Sequence, residues 1–166
     1  MSFEKEFKRQ LFLTTAKNFT KKAILLFKYQ VEHNPTYKKY VQYLGKDASH
    51  IKDLDEIPFL PIQFFKSHEI ICNSQDKEYV FHSSGTTGKN TSKHWVTDIK
   101  HYQNNTIQIF NHFYGSLSKY TVLALLPSYL ERSNSSLISM TDLFINKSHS
   151  LDSGYYLYNH DDLYKK

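Results

Sequence analysis

Phe81-His82-Ser83-Ser84-Gly85-Thr86-Thr87-Gly88-Lys89 concentrates the groups in this chain best suited to hold an anion. Residues 83–88 supply four hydroxyls and two glycines, and a lysine follows directly. Glycine lets backbone N–H groups approach phosphate oxygens closely, hydroxyls donate to those oxygens, and lysine adds a point charge. On the end of a strand, such a loop is suited to a polyphosphate. It is not a Walker A loop, which has four residues between its glycines and then Lys-Ser/Thr. Here two residues separate Gly85 from Gly88, and Asn90 follows Lys89. The plain alternative is a polar turn between two strands, where Gly, Ser and Thr are common.

Other chemistry-bearing residues are fewer. His82 and His94 bracket the loop, but no Cys/His/Asp set at ligand spacing accompanies them, so each reads as structural or solvent-bonded and no metal site is assigned. Cys72 lies in an apolar stretch, where a buried, inert thiol is the default. One cysteine cannot form an internal disulfide, which suits a reducing cytosol, and the expected location is cytoplasmic. Leu126-Pro127-Ser128-Tyr129 follows an apolar run at the edge where α/β folds place ligands. Pro127, Ser128 and Tyr129 are therefore pocket candidates, the alternative being a loop that merely packs the domain. Arg132 beside Glu131 reads as a surface ion pair.

The elements that must position these residues are legible as a pattern. Thr14 or Thr15 can cap a helix carrying Phe19, Ala23, Leu26, Phe27 and Val31 at helical spacing. Asn34-Pro35 ends it and starts a second, with Asn34 as cap, Tyr37, Tyr40, Val41 and Leu44 on one face, and Gly45 at the exit. Pro58 and Pro61 impose extended backbone before a short turn through Phe64-Phe65. Strands are then expected at residues 69–72, 79–82 and 93–97, and a helix capped by Asp98 should carry Ile99, Tyr102, Ile109 and Phe113. The run at 121–126 suits a strand buried on both faces, a helix opens at Asn134 or Ser135, and residues 155–158 form a last strand before a helical turn at Asp161. Strands alternating with helices predict N-terminal helices followed by a layered α/β sheet. The expected organisation is one partial domain over 1–166, helical over 1–56 and α/β with the phosphate loop over 57–166.

Composition bounds the remaining possibilities. At 166 residues the chain is of one-domain size, with 13 Tyr and 12 Phe against 5 Gly and 4 Pro, which excludes a low-complexity or disordered chain. Lysine and arginine number 21 against 16 acidic residues, but they are scattered, so a nucleic-acid-binding stripe is not supported. No apolar run approaches the ~20 residues of a membrane span.

Ser83-Ser84-Gly85-Thr86-Thr87-Gly88 resembles the signature of the adenylate-forming superfamily, which includes acyl-CoA synthetases and nonribosomal-peptide adenylation domains. The usual continuation, x-Pro-Lys-Gly, is replaced here by Lys89-Asn90-Thr91-Ser92-Lys93. Ile57-Pro58-Phe59-Leu60-Pro61-Ile62-Gln63-Phe64-Phe65-Lys66 and Leu126-Pro127-Ser128-Tyr129-Leu130-Glu131-Arg132 resemble the LuxE-type acyl-protein synthetases within it. A phenylacetate-CoA-ligase-like reading fits the missing Pro-Lys-Gly and the Phe59–Lys66 segment less well.

The resemblance implies the N-terminal region of the adenylate-forming large domain, with residues 83–88 gripping ATP phosphates and Lys89 or Lys93 standing for the loop lysine. Its cofactors would be ATP and Mg²⁺, with the Mg²⁺ ligand, adenine contacts and lid lysine beyond this chain. Its partners would be a fatty or other carboxylic acid and an acyl carrier or reductase. Nucleic acid and a membrane span are not expected. An N-terminal part alone should lack pyrophosphate exchange and should self-associate. The alternative is a non-catalytic adenylation-domain remnant acting as a partner-binding or split-enzyme module.

Overall fold

The computed structural model describes residues 2–72, 76–83, 91–126 and 134–166. The first half is helical. α1 (Phe3–Gln10) carries acidic residues in its first turn and Lys8 and Arg9 in its last, matching the helix dipole. α2 spans Ala16–His33, and Asn18 Oδ1 accepts the Thr15 N–H at 2.8 Å. α3 (Pro35–Tyr43) begins where expected, and Asn34 Oδ1 accepts the Tyr37 N–H at 3.1 Å. Gly45, at φ 65°, supplies the left-handed exit.

α1 has no counterpart in the sequence reading. Its charges hide Phe3 and Phe7, four residues apart, and Phe3 stacks on Tyr29 of α2 with centroids 4.6 Å apart. The pairing exists only once α2 is in place.

Phe27, Tyr37, Val41, Ile51 and Ile57 form the core of this half. The Tyr37 hydroxyl donates to the Pro58 carbonyl at 2.9 Å, and that of Tyr40 to the Phe59 carbonyl at 3.2 Å. Two phenols thus clamp the proline-bounded segment along the helix pair. Burial pushes the Tyr37 phenol up to about 12. α4 (Phe64–Ser67) is the turn foreseen at Phe64-Phe65.

In the second half, β1 (Tyr79–His82) pairs with β2 (Lys93–Val96), and α5 (Ile99–Tyr114) follows, its N-terminus capped by Asp98. β3 (Leu123–Ala124) runs parallel to β4 (Gly154–Tyr155), with α6 (Ser136–Ser148) between them and α7 (His160–Tyr164) last. Phe81 packs on Tyr102 and Phe110 on Phe144, joining β1 to α5 and α5 to α6. The result is a mixed helix-and-sheet fold, loosely α/β.

Three expectations change. Among the described residues there are two two-stranded sheets, not one layered sheet. Residues 69–72 form no strand, because the Glu69 carbonyl accepts from Thr36 Oγ1 at 3.0 Å and ties this stretch to α3. The run at 121–126 is not covered on both faces: Ala124 is buried while Leu123 and Leu125 alternate outward. With β4 as its one described partner, β3 shows the period of a half-covered strand.

Asn34 is only 3% exposed, so its loss cannot be repaired by water. Asn34→Ala should cost about 1–2 kcal/mol in urea unfolding, and Asn34→Ser less because it keeps an uncharged cap oxygen. Equal losses in the two variants would contradict a cap-based role.

Candidate functional site

The β1–β2 hairpin frames the loop that the sequence singles out. It is antiparallel, with Tyr79 opposite Val96, Val80 opposite Trp95, Phe81 opposite His94 and His82 opposite Lys93. Pairing continues one step beyond the strands. The Ser83 N–H donates to the Ser92 carbonyl at 3.1 Å, and the Ser92 N–H donates to Ser83 Oγ at 3.0 Å. Residues 84–90 therefore connect the two strands at this end.

Ser83 is placed by that exchange. Its oxygen accepts a backbone N–H while its O–H remains able to donate. His82 Nδ1 lies 3.3 Å from Thr91 Oγ1, and Lys93, opposite His82, is exposed. Two hydroxyls, from Ser83 and Thr91, and one ammonium thus stand at the hairpin end, all capable of donating to an anion.

Ser84, Gly85, Thr86, Thr87, Gly88 and Lys89 lie outside the described residues, as do Pro127, Ser128, Tyr129, Glu131 and Arg132. The residues that border the two stretches do meet. The His82 N–H donates to the Asn134 carbonyl at 2.8 Å, and the Tyr79 hydroxyl reaches Asn134 Oδ1 at 3.4 Å. The end of β1 and the entry to α6 are thereby joined, although far apart in sequence.

His94 stacks on Phe65 with ring centroids 5.8 Å apart and an interplanar angle of 25°. Desolvation lowers its pKa below the ordinary imidazole value. Both bracketing histidines therefore have packing or hydrogen-bond partners. Among the described residues, no group of three His, Cys, Asp or Glu gathers to hold a metal ion. Cys72 is buried, its S–H directed to Gln30 Oε1 at 3.7 Å, and burial pushes the thiol pKa up. It is a poor nucleophile.

Sequence reasoning missed the flank of the hairpin. Lys77 Nζ sits 4.6 Å over the Trp95 ring and bonds both carboxylate oxygens of Glu69, at 2.7 and 2.8 Å. Trp95 Nε1 is buried with no hydrogen-bond partner among the described residues. Strand alternation could have shown which face Trp95 shares, but nothing in the sequence brings Lys77 and Glu69 to it.

Comparisons with family models, with curated proteins and with solved structures find no match to this chain.

The His94 environment predicts a pH effect with a definite sign. Its imidazole takes up a proton less readily folded than unfolded, so the unfolded chain binds more protons in that interval. The stability this represents is complete above the ordinary imidazole pKa and shrinks as the pH falls through it towards the depressed folded value. NMR titration should place His94 below a free imidazole, and Phe65→Ala should move it back up. An unchanged value in the variant would exclude Phe65 as the desolvating group.

Proposed function

We propose that this chain carries the phosphate-gripping part of an ATP-dependent carboxylate-activating enzyme of the LuxE type. The observation that supports the reading is the hydrogen bond from His82 to Asn134. It joins the end of β1, next to the phosphate-loop candidate, to Asn134, five residues beyond the last pocket candidate, Tyr129. A polyphosphate site and a carboxylate site must lie side by side for such a reaction.

In that chemistry a carboxylate, of a fatty acid on this reading, attacks the α-phosphate of ATP. An acyl-adenylate forms and pyrophosphate leaves, after which the acyl group passes to a thiol. The roles assigned to this chain are electrostatic and positional. Ser83, Ser84, Thr86 and Thr87 would donate to phosphate oxygens, Gly85 and Gly88 would let backbone N–H groups approach, and Lys89 or Lys93 would supply charge. Pro127, Ser128 and Tyr129 would border the carboxylate. Cys72, buried and protonated, is not the acceptor thiol, so the acceptor belongs to another chain, a carrier or a further segment. Mg²⁺, which such enzymes use to neutralise phosphate charge, finds no ligand group among the described residues.

Calorimetry with ATP and with pyrophosphate tests the loop directly. Both should bind, and Thr86→Ala with Thr87→Ala should weaken them about tenfold or more without altering the thermal midpoint. Absence of binding, or binding indifferent to the double substitution, would sink the phosphate reading. Carboxylate-dependent pyrophosphate exchange is the second measurement. Exchange by this chain would mark a self-contained enzyme, whereas binding without exchange fits both a part of an enzyme and a non-catalytic module.

A further inference from the structure

A groove of about 570 Å³ runs between α2 and the segment over residues 57–70, and no described residue of the hairpin lines it. Its walls are Phe19, Ala23 and Leu26 on one side and Ile57, Leu60 and Ile70 on the other. That volume falls within the roughly 300–1,000 Å³ of small-molecule sites. A bound helix, at about 10–12 Å across, would need a broader trough.

The polar groups of the groove are few, and their orientation is determined. Asn34 Oδ1 accepts the Tyr37 N–H, so the other amide atom of Asn34 is its nitrogen. That nitrogen donates to Gln30 at 3.3 Å, so the Gln30 atom facing it is Oε1. The Cys72 thiol donates to the same oxygen. Gln30, partly exposed, keeps Nε2 as the amide donor left over, and no bond from that nitrogen to a described residue competes for it. The Tyr37 hydroxyl is already spent on the Pro58 carbonyl.

Charge narrows the occupant further. Among the described residues no Lys, Arg or His lines the groove, and Asp55, an exposed carboxylate, stands among the lining residues. An anion there would lose its hydration without gaining a counter-charge, and would meet Asp55 besides.

We infer that this groove binds an uncharged, largely apolar small molecule that presents one oxygen acceptor to Gln30 Nε2. The apolar walls supply affinity and the single amide donor fixes orientation. The inference uses no hairpin residue and stands apart from the phosphate reading.

Displacement of the uncharged fluorophore N-phenylnaphthylamine from the full chain tests it, with decanol and decanoate as competitors at neutral pH. Decanol should displace the fluorophore saturably, and decanoate about tenfold less well or worse. Gln30→Glu keeps an acceptor for Asn34 and Cys72 but replaces the donor, and should weaken decanol by a similar factor with an unchanged circular-dichroism spectrum. Leu26→Trp, at a partly exposed rim position, should block fluorophore and decanol alike. No saturable displacement, equal potency of decanoate, or a Gln30→Glu variant that binds decanol normally would each overturn the assignment. If Gln30→Glu does not fold, the decanol–decanoate contrast and Leu26→Trp still decide.

Discussion

Asn34 is the joint on which the described N-terminal half turns. Its backbone ends α2, with the N–H on the Gln30 carbonyl at 2.9 Å, and its side chain starts α3 at Tyr37. The sharp reversal lays Tyr37 edge-on against Phe27, centroids 6.0 Å apart, and delivers the Tyr37 hydroxyl to Pro58. Everything after Pro58 in this half takes its course from that contact. A buried amide can hold such a joint because both of its ends are satisfied; an unpaired one would cost about 1–3 kcal/mol.

Among the contacts that carry the helical half onto the rest, two are unequal in kind. Lys8 Nζ meets Asp98 Oδ2 at 2.8 Å, tying α1 to the cap of α5. That lysine, and then the His101 N–H, hold the Asp98 carboxyl below the usual range. Both side chains are more than a third exposed, so the pair is worth at most about 1 kcal/mol and is weakened by salt. The stacking of Phe65 on His94 also removes apolar surface from water, a gain that salt does not screen.

The hairpin is short and well paired. Its antiparallel ladder satisfies the backbone up to Ser83 and Ser92, so the connecting stretch departs from a closed, hydrogen-bonded end. Asn134 then brings the entry of α6 to the same place. A local pairing and one distant hydrogen bond together bring the end of β1 and the entry of α6 side by side.

The sequence by itself determined what depends on near neighbours. Caps at Thr15, Asn34 and Asp98, the helices they open, the strands at 79–82 and 93–96 and the glycine exit at Gly45 all rest on interactions within a few residues, and all were legible. The hydroxyl-rich loop was legible as composition. Tertiary structure alone decided what depends on distant partners. Whether 69–72 pairs with a strand or bonds to Thr36, which face of 121–126 is covered, and which residues meet at Asn134 or over Trp95 are settled by elements arriving from elsewhere in the chain. Apolar runs of strand length carry no mark of their partner, and β pairing is non-local, so its outcome is not written in the segment that pairs.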